Sequence, residues 1–137
     1  MFDWLANPNR FNRITEKIQP CILLIAIITL ISGLYFGLFD SPKDYQQGDA
    51  VRIMYVHVPS AWLASFLYFS LAISCVFYLV WKHPLADLVS SSIAPIGALF
   101  SALTLVTGSL WGKPMWGTWW VWDARLTSML VLFFFYP

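Results

Sequence analysis

The sequence predicts an all-α, polytopic membrane helix bundle with three complete spans and the start of a fourth. Two observations carry that prediction. Three long apolar runs contain no charged residue, and 11% of the 137 residues are charged against 59% hydrophobic. A soluble domain carries about 25% charged residues. The first run, residues 21–39, has 19 residues. As a helix it would advance about 28 Å, enough to cross the hydrocarbon core. It is too long for the apolar region of a signal peptide and no small-x-small cleavage site follows it, so it is expected to stay as an anchor.

The second run, residues 60–81, has 22 uncharged residues, and the third, residues 88–112, has 25. The third span is placed at 88–111, with Pro95 near its start. Its small residues Gly97, Ala98, Ser101, Ala102 and Gly108 predict that a neighbouring helix approaches closely. The fourth run opens at Leu126 and reaches Tyr136, and the fourth, incomplete span is placed at 126–137. Eleven helical residues advance only about 16 Å, half a bilayer. A carboxylate at Pro137 would then lie near the midplane, where unpaired polar groups cost several kcal/mol. The expectation is a C-terminally truncated piece of a longer protein, or a partner that covers this end. Residues 1–137 read as a single membrane domain.

Loop charge orients the spans. Arg10, Arg13 and Lys17 precede the first span, and Lys43 and Arg52 follow it in the loop 40–59. That bias favours a cytoplasmic N-terminus, although the count over all loops ties. The loops 40–59 and 112–125 then face outward, and 82–87 faces the cytoplasm. The net charge of +1 gives no electrostatic case for binding nucleic acid. Cys21 and Cys75 stand alone in apolar runs, without CxxC or CxxCH, which excludes dithiol redox chemistry and covalent haem attachment. They read as small apolar packing residues.

Five of the eight tryptophans fall between Trp111 and Trp122, in WGKPMWGTWWVWDARLTS. One reading is an interfacial belt, with the indoles at headgroup level. The other is a binding surface for a large, flat, apolar ligand. Gly112, Pro114 and Gly117 are expected to break any long helix here. If residues 116–123 were helical, Trp116, Trp119, Trp120 and Asp123 would share one face, with Trp122 pointing elsewhere. Lys113 and Arg125 flank that aromatic slab, and their charges suit a ligand's carboxylates. Both readings stay open on the residues alone.

His57 sits in RIMYVHVPSAW, before Pro59 and the second span. Pro59 biases Val58 to an extended conformation, and Ser60 is a candidate cap for the helix that follows. This places His57 at the outer end of a span, on the side of the Trp-rich loop. A neutral imidazole there is either a solvated interfacial group or a metal ligand, and imidazole is a standard axial ligand of haem iron. His83 falls in the opposite loop and is read without a site role. The three complete spans hold no charge that would mark an ion path. No Walker A, GxSxG or HExxH pattern is present, so no autonomous catalytic site is expected.

The segment WGKPMWGTWWVWDARLTS resembles the signature of the WWD-domain family, the haem-handling membrane proteins of cytochrome c maturation. DYQQGDAVRIMYVHVPSAW and APIGALFSALTLVTGS are similar to its haem exporter protein C branch, from the multi-component (system I) pathway. The similarity runs from about Ile18 to Tyr136. The resemblance implies a six-span protein of the bacterial inner membrane with the Trp-rich loop in the periplasm. It implies haem b bound as cargo between that loop and two external histidines. The implied partners are ABC transporter subunits, a small membrane subunit, and a membrane-tethered haem chaperone that receives the haem. Carried onto this chain, His57 matches the first external histidine and so the axial ligand of the haem iron. Trp116, Gly117, Trp119, Trp120, Trp122 and Asp123 match the aromatic signature. Arg52, Lys113 and Arg125 are candidate propionate contacts.

The family's second histidine lies beyond the fourth span, outside this sequence, so one axial ligand is expected from these residues. A missing second ligand should weaken haem binding and leave the iron open to exchange. Two other readings remain: a haem ligase of the same signature family, and a structural membrane subunit anchored by its tryptophans.

Overall fold

The computed structural model describes residues 8–136; the expectation for the carboxylate of Pro137 lies outside the described residues. All regular structure among them is helical apart from one isolated bridge between Asp44 and Gly48. The described residues form two units, divided between residues 40 and 41.

The first unit is one helix, α1 (Pro8–Tyr35), continued by a π-helical turn from Phe36 to Asp40. It begins well before the apolar run, so Arg10, Arg13 and Lys17 are helical rather than part of an irregular tail. Its apolar side chains are exposed almost throughout, as a surface meant for lipid must be. Thr29 and Ser32 fold their hydroxyls back onto the carbonyls of Ile25 and Ile28 at 2.9 and 2.8 Å. That removes the cost of bringing a bare hydroxyl into an apolar medium.

The second unit holds α2 (Val51–Trp81), α3 (Pro84–Trp116) and α4 (Ala124–Phe135). With α1 and its turn, α2 and α3 make three helices long and apolar enough to cross a membrane; α4 is apolar but shorter. Two residues, Lys82 and His83, join α2 to α3, and the two helices pack along each other as a hairpin. Lys82 closes α2 in the left-handed region (φ 52°), and His83 precedes Pro84 in extended conformation. Proline at the first helical position suits a residue without an N–H.

The buried face of α3 is a stripe of small residues, Ala94, Gly97, Ser101, Thr104 and Gly108. The spacing of three and four residues keeps them on one face of the helix. Of the small residues expected there, Gly97, Ser101 and Gly108 are buried, while Ala98 and Ala102 are only half-buried. Tyr136, just past α4, closes this packing. Its hydroxyl donates to the Ala64 carbonyl at 2.9 Å, and its ring occupies the space over Gly97. Tyr68 meets it edge-on at 5.7 Å.

Four sequence expectations are corrected. Val58 is not extended: α2 runs unbroken through Pro59, and His57 lies in its second turn. Ser60 does not cap a helix; it donates to the Val56 carbonyl at 2.7 Å. Gly112 and Pro114 do not break the third helix, which continues to Trp116. Pro114 has no N–H to offer the carbonyl four residues back, yet the helix runs two residues past it. Cys21 and Cys75 are free thiols on exposed helix surfaces rather than packing residues.

Candidate functional site

Three helices bring the site together. His57 comes from α2, Gly108, Trp111 and Trp116 from α3, and Arg125 and Leu126 from α4; these line one cleft of about 220 Å³. A second cleft, of about 170 Å³, shares His57, Arg125 and Leu126 with the first and is walled also by Thr104 and Met129. His57 therefore faces two openings.

The imidazole is held against α3. Its Nδ1 lies 3.0 Å from the Thr107 hydroxyl oxygen. An ideal Cβ built on Gly108 would come within 3.1 Å of the ring's Cε1, so a glycine permits this approach. Trp111 is fixed from the loop before α2. There the Asp44 carboxylate accepts from the backbone amides of Gln46 and Gln47 at 2.9 and 2.8 Å. This turn presents Gln47, whose Oε1 accepts from the indole N–H of Trp111 at 2.9 Å. Trp116 then meets Trp111 edge-on, with ring centroids 5.2 Å apart.

Gly117 ends α3 in the left-handed region (φ 76°), and its amide donates to the Lys113 carbonyl at 3.1 Å. Residues 117–123 are not helical. The shared helical face expected for Trp116, Trp119, Trp120 and Asp123 is therefore not formed. Trp116 alone of the four lines the cleft. Trp120 packs edge-on against Trp122 at 5.4 Å. Trp119 and Trp122 are 54% and 77% exposed.

Asp123 has a structural task. Its Oδ1 accepts from the Leu126 amide at 2.9 Å and caps α4, and its Oδ2 accepts from Arg125 Nη2 at 2.7 Å. The Leu126 amide first, and Arg125 second, hold its carboxyl below the ordinary value of 3.8. A depressed pKa means that this contribution is complete above the unfolded value, about 3.9, and fades as pH falls through the lower folded value. The Leu126 amide resonance should therefore stay constant through neutral and mildly acidic pH and move only below about pH 4. A transition near pH 6 would contradict the cap.

The three candidate cations differ in place. Arg125 lines both clefts, and its guanidinium stands 5.4 Å over the Trp116 ring. Lys113 donates to the Gly117 carbonyl at 3.1 Å and lies 5.8 Å over the Trp119 ring. Arg52 ties the loop to α2 through the Ser41 carbonyl at 3.2 Å. Neither Lys113 nor Arg52 lines either of these two clefts. The structure thus gathers His57, Trp116 and Arg125, and leaves Arg52, Lys113, Gly117, Trp119, Trp120, Trp122 and Asp123 outside the cleft walls.

Sequence reading missed Thr107, Gly108 and Leu126 as site residues, and placed Trp111 only in the tryptophan count. One signal was available. The three-and-four spacing of the small stripe, 94, 97, 101, 104 and 108, reaches 111 at its next step. Among the described residues no group of three or more His, Cys, Asp or Glu side chains would hold a metal ion.

The chemistry-bearing groups that this helical unit gathers at one cleft are an imidazole, two indoles and a guanidinium. The profile of the family described as "Heme exporter protein C" matches residues 1–137. The chain is 52% identical over 132 residues to the "Heme exporter protein C" of Bradyrhizobium diazoefficiens, covering 96% of this chain and 50% of that protein. It is 51% identical to that of Haemophilus influenzae, covering 99% and 56%, and 48% identical to that of Escherichia coli, covering 96% and 54%. The chain belongs to the heme exporter protein C family, as its tryptophan-rich segment suggested. It spans about half the length of these curated relatives.

Proposed function

We propose that this chain serves haem trafficking in cytochrome c biogenesis by holding haem b, as cargo, at the outer face of the bacterial inner membrane. The observation that carries the reading is the convergence of His57, Trp111, Trp116 and Arg125 on one cleft. The donor set suits the cargo. An imidazole offers an axial ligand to haem iron, indoles offer flat apolar walls, and a guanidinium offers a propionate partner. Arg125 is already paired with Asp123, so a propionate would have to share it. Lys113 and Arg52 are secondary candidates that would meet only the edge of a ligand larger than the cleft. Trp119, Trp120 and Trp122 would extend the indole surface beyond it, with Gly117 setting the turn that carries them.

In this reading the N-terminus is cytoplasmic and the segment 112–125 is periplasmic. The chain works by presentation rather than bond-forming chemistry. It hands haem to a membrane-tethered haem chaperone, in company with ABC transporter subunits and a small membrane subunit. A second histidine from outside this sequence would complete the iron's axial pair.

Haem titration of the detergent-purified protein tests the proposal. A Soret band is expected, and His57→Ala should shift it and weaken affinity at least about tenfold, the loss that even an outer-shell partner can cause. An unchanged band would remove the axial role. A second reading draws on the exposure of Trp119 and Trp122, which suits indoles at the membrane interface. Trp119→Ala with Trp120→Ala should lower haem retention and leave membrane insertion intact; failed insertion would favour the anchor.

A further inference from the structure

We propose that Thr107 is a positioning residue that fixes the tautomer of His57 and leaves Nε2 bare, an inference that rests on the axial role given to His57. Thr107 has a single hydroxyl proton to donate. Its oxygen lies 2.6 Å from the Leu103 carbonyl and 3.3 Å from the Thr104 carbonyl, and both of these can only accept. The shorter contact takes the proton. The hydroxyl therefore faces His57 Nδ1, 3.0 Å away, with its lone pairs. A hydrogen bond there requires the proton to sit on Nδ1. A neutral imidazole carries one ring proton, so Nε2 is left as a lone pair, the form a metal ion binds. The reverse arrangement, with Thr107 donating to the ring, would give up its 2.6 Å bond to its own helix.

Gly108, next to Thr107, lets the ring lie within reach of α3. Hydroxyls that bond back to a helix carbonyl are common here, as Thr29 and Ser70 illustrate, and by themselves satisfy only the hydroxyl. Thr107 differs because the same oxygen also faces a ring nitrogen from another helix, and because the residue is only 9% exposed. An outer-shell group that orients a ligating histidine commonly controls metal affinity.

The tautomer can be read without haem. The chain has two histidines, so 15N-histidine labelling in a His83→Asn background reports on His57 alone. At mildly alkaline pH, two-bond 1H–15N spectra of the protein in detergent should show a protonated Nδ1 and a bare Nε2. Thr107→Val, which keeps the shape and removes the hydroxyl, should move the ring toward the Nε2–H form and lower haem affinity about tenfold. Thr107→Ser should restore both. An Nε2–H ring in the unmodified protein, or a tautomer unchanged by Thr107→Val, would overturn the proposal. So would haem affinity that falls in His57→Ala but not in Thr107→Val. Haem affinity indifferent to His57→Ala, with the tautomer as expected, would instead sink the axial reading beneath it.

Discussion

Gly97→Ala is expected to destabilise the unit formed by α2, α3 and α4 by about 2 kcal/mol, a typical cost of overpacking a filled site. The ring of Tyr136 occupies the position that a Cβ on Gly97 would take. Ring and methyl cannot coexist, and the obstruction is the body of an aromatic ring rather than the end of a flexible chain. Moving the ring also breaks the bond from its hydroxyl to the Ala64 carbonyl and the edge contact with Tyr68. A double-mutant cycle with Tyr136→Ala separates these effects. Tyr136→Ala alone should destabilise, but adding Gly97→Ala to it should then cost little, because the space has been vacated. Reversible unfolding of the chain in mixed detergent micelles measures all four corners. Additive costs would mean that Tyr136 does not pack over Gly97.

Gly108→Val is expected to reduce haem binding as severely as the loss of the imidazole itself. A Cβ at Gly108 would stand 3.1 Å from His57 Cε1 and 3.6 Å from Leu126 Cδ2, so it enters a gap closed on two sides. Alanine brings only that one carbon, and a shift of a few tenths of an ångström by the ring would absorb it. Valine adds two branches in a helix that restricts its rotamers, and the ring must leave its place beside Thr107. Gly108→Ala should therefore retain most haem affinity, and Gly108→Val should lose at least about tenfold. Helical content should be unchanged in both, since Gly108 is not a cap. Equal affinity in the three proteins would show that the ring's place against α3 is irrelevant to binding.

The architecture was legible because lipid imposes a simple demand: uncharged runs of sufficient length have to be helices. Helix ends were less legible. Pro59 and Pro114 looked like boundaries under rules learned from water-soluble chains, yet α2 and α3 pass through both. In an apolar medium the remaining backbone groups have no water to turn to, so a helix continues past a single missing donor. Within the candidate site, His57 and the tryptophan cluster stood out by composition. Their arrangement did not, because the contacts that set it join distant residues. Thr107 meets His57 across 50 positions and Gln47 meets Trp111 across 64, and no local pattern announces either pair. The expected aromatic face over 116–123 failed for a local reason: Gly117 turns the chain out of the helix before Trp119 is reached.

Hyperfine spectroscopy on ferric haem bound to the 15N-histidine-labelled protein, in the His83→Asn background, asks directly whether the imidazole of His57 touches iron. The account predicts a strongly coupled histidine nitrogen that disappears in His57→Ala. Bound haem without any such coupling, or a coupling that survives His57→Ala, would contradict it.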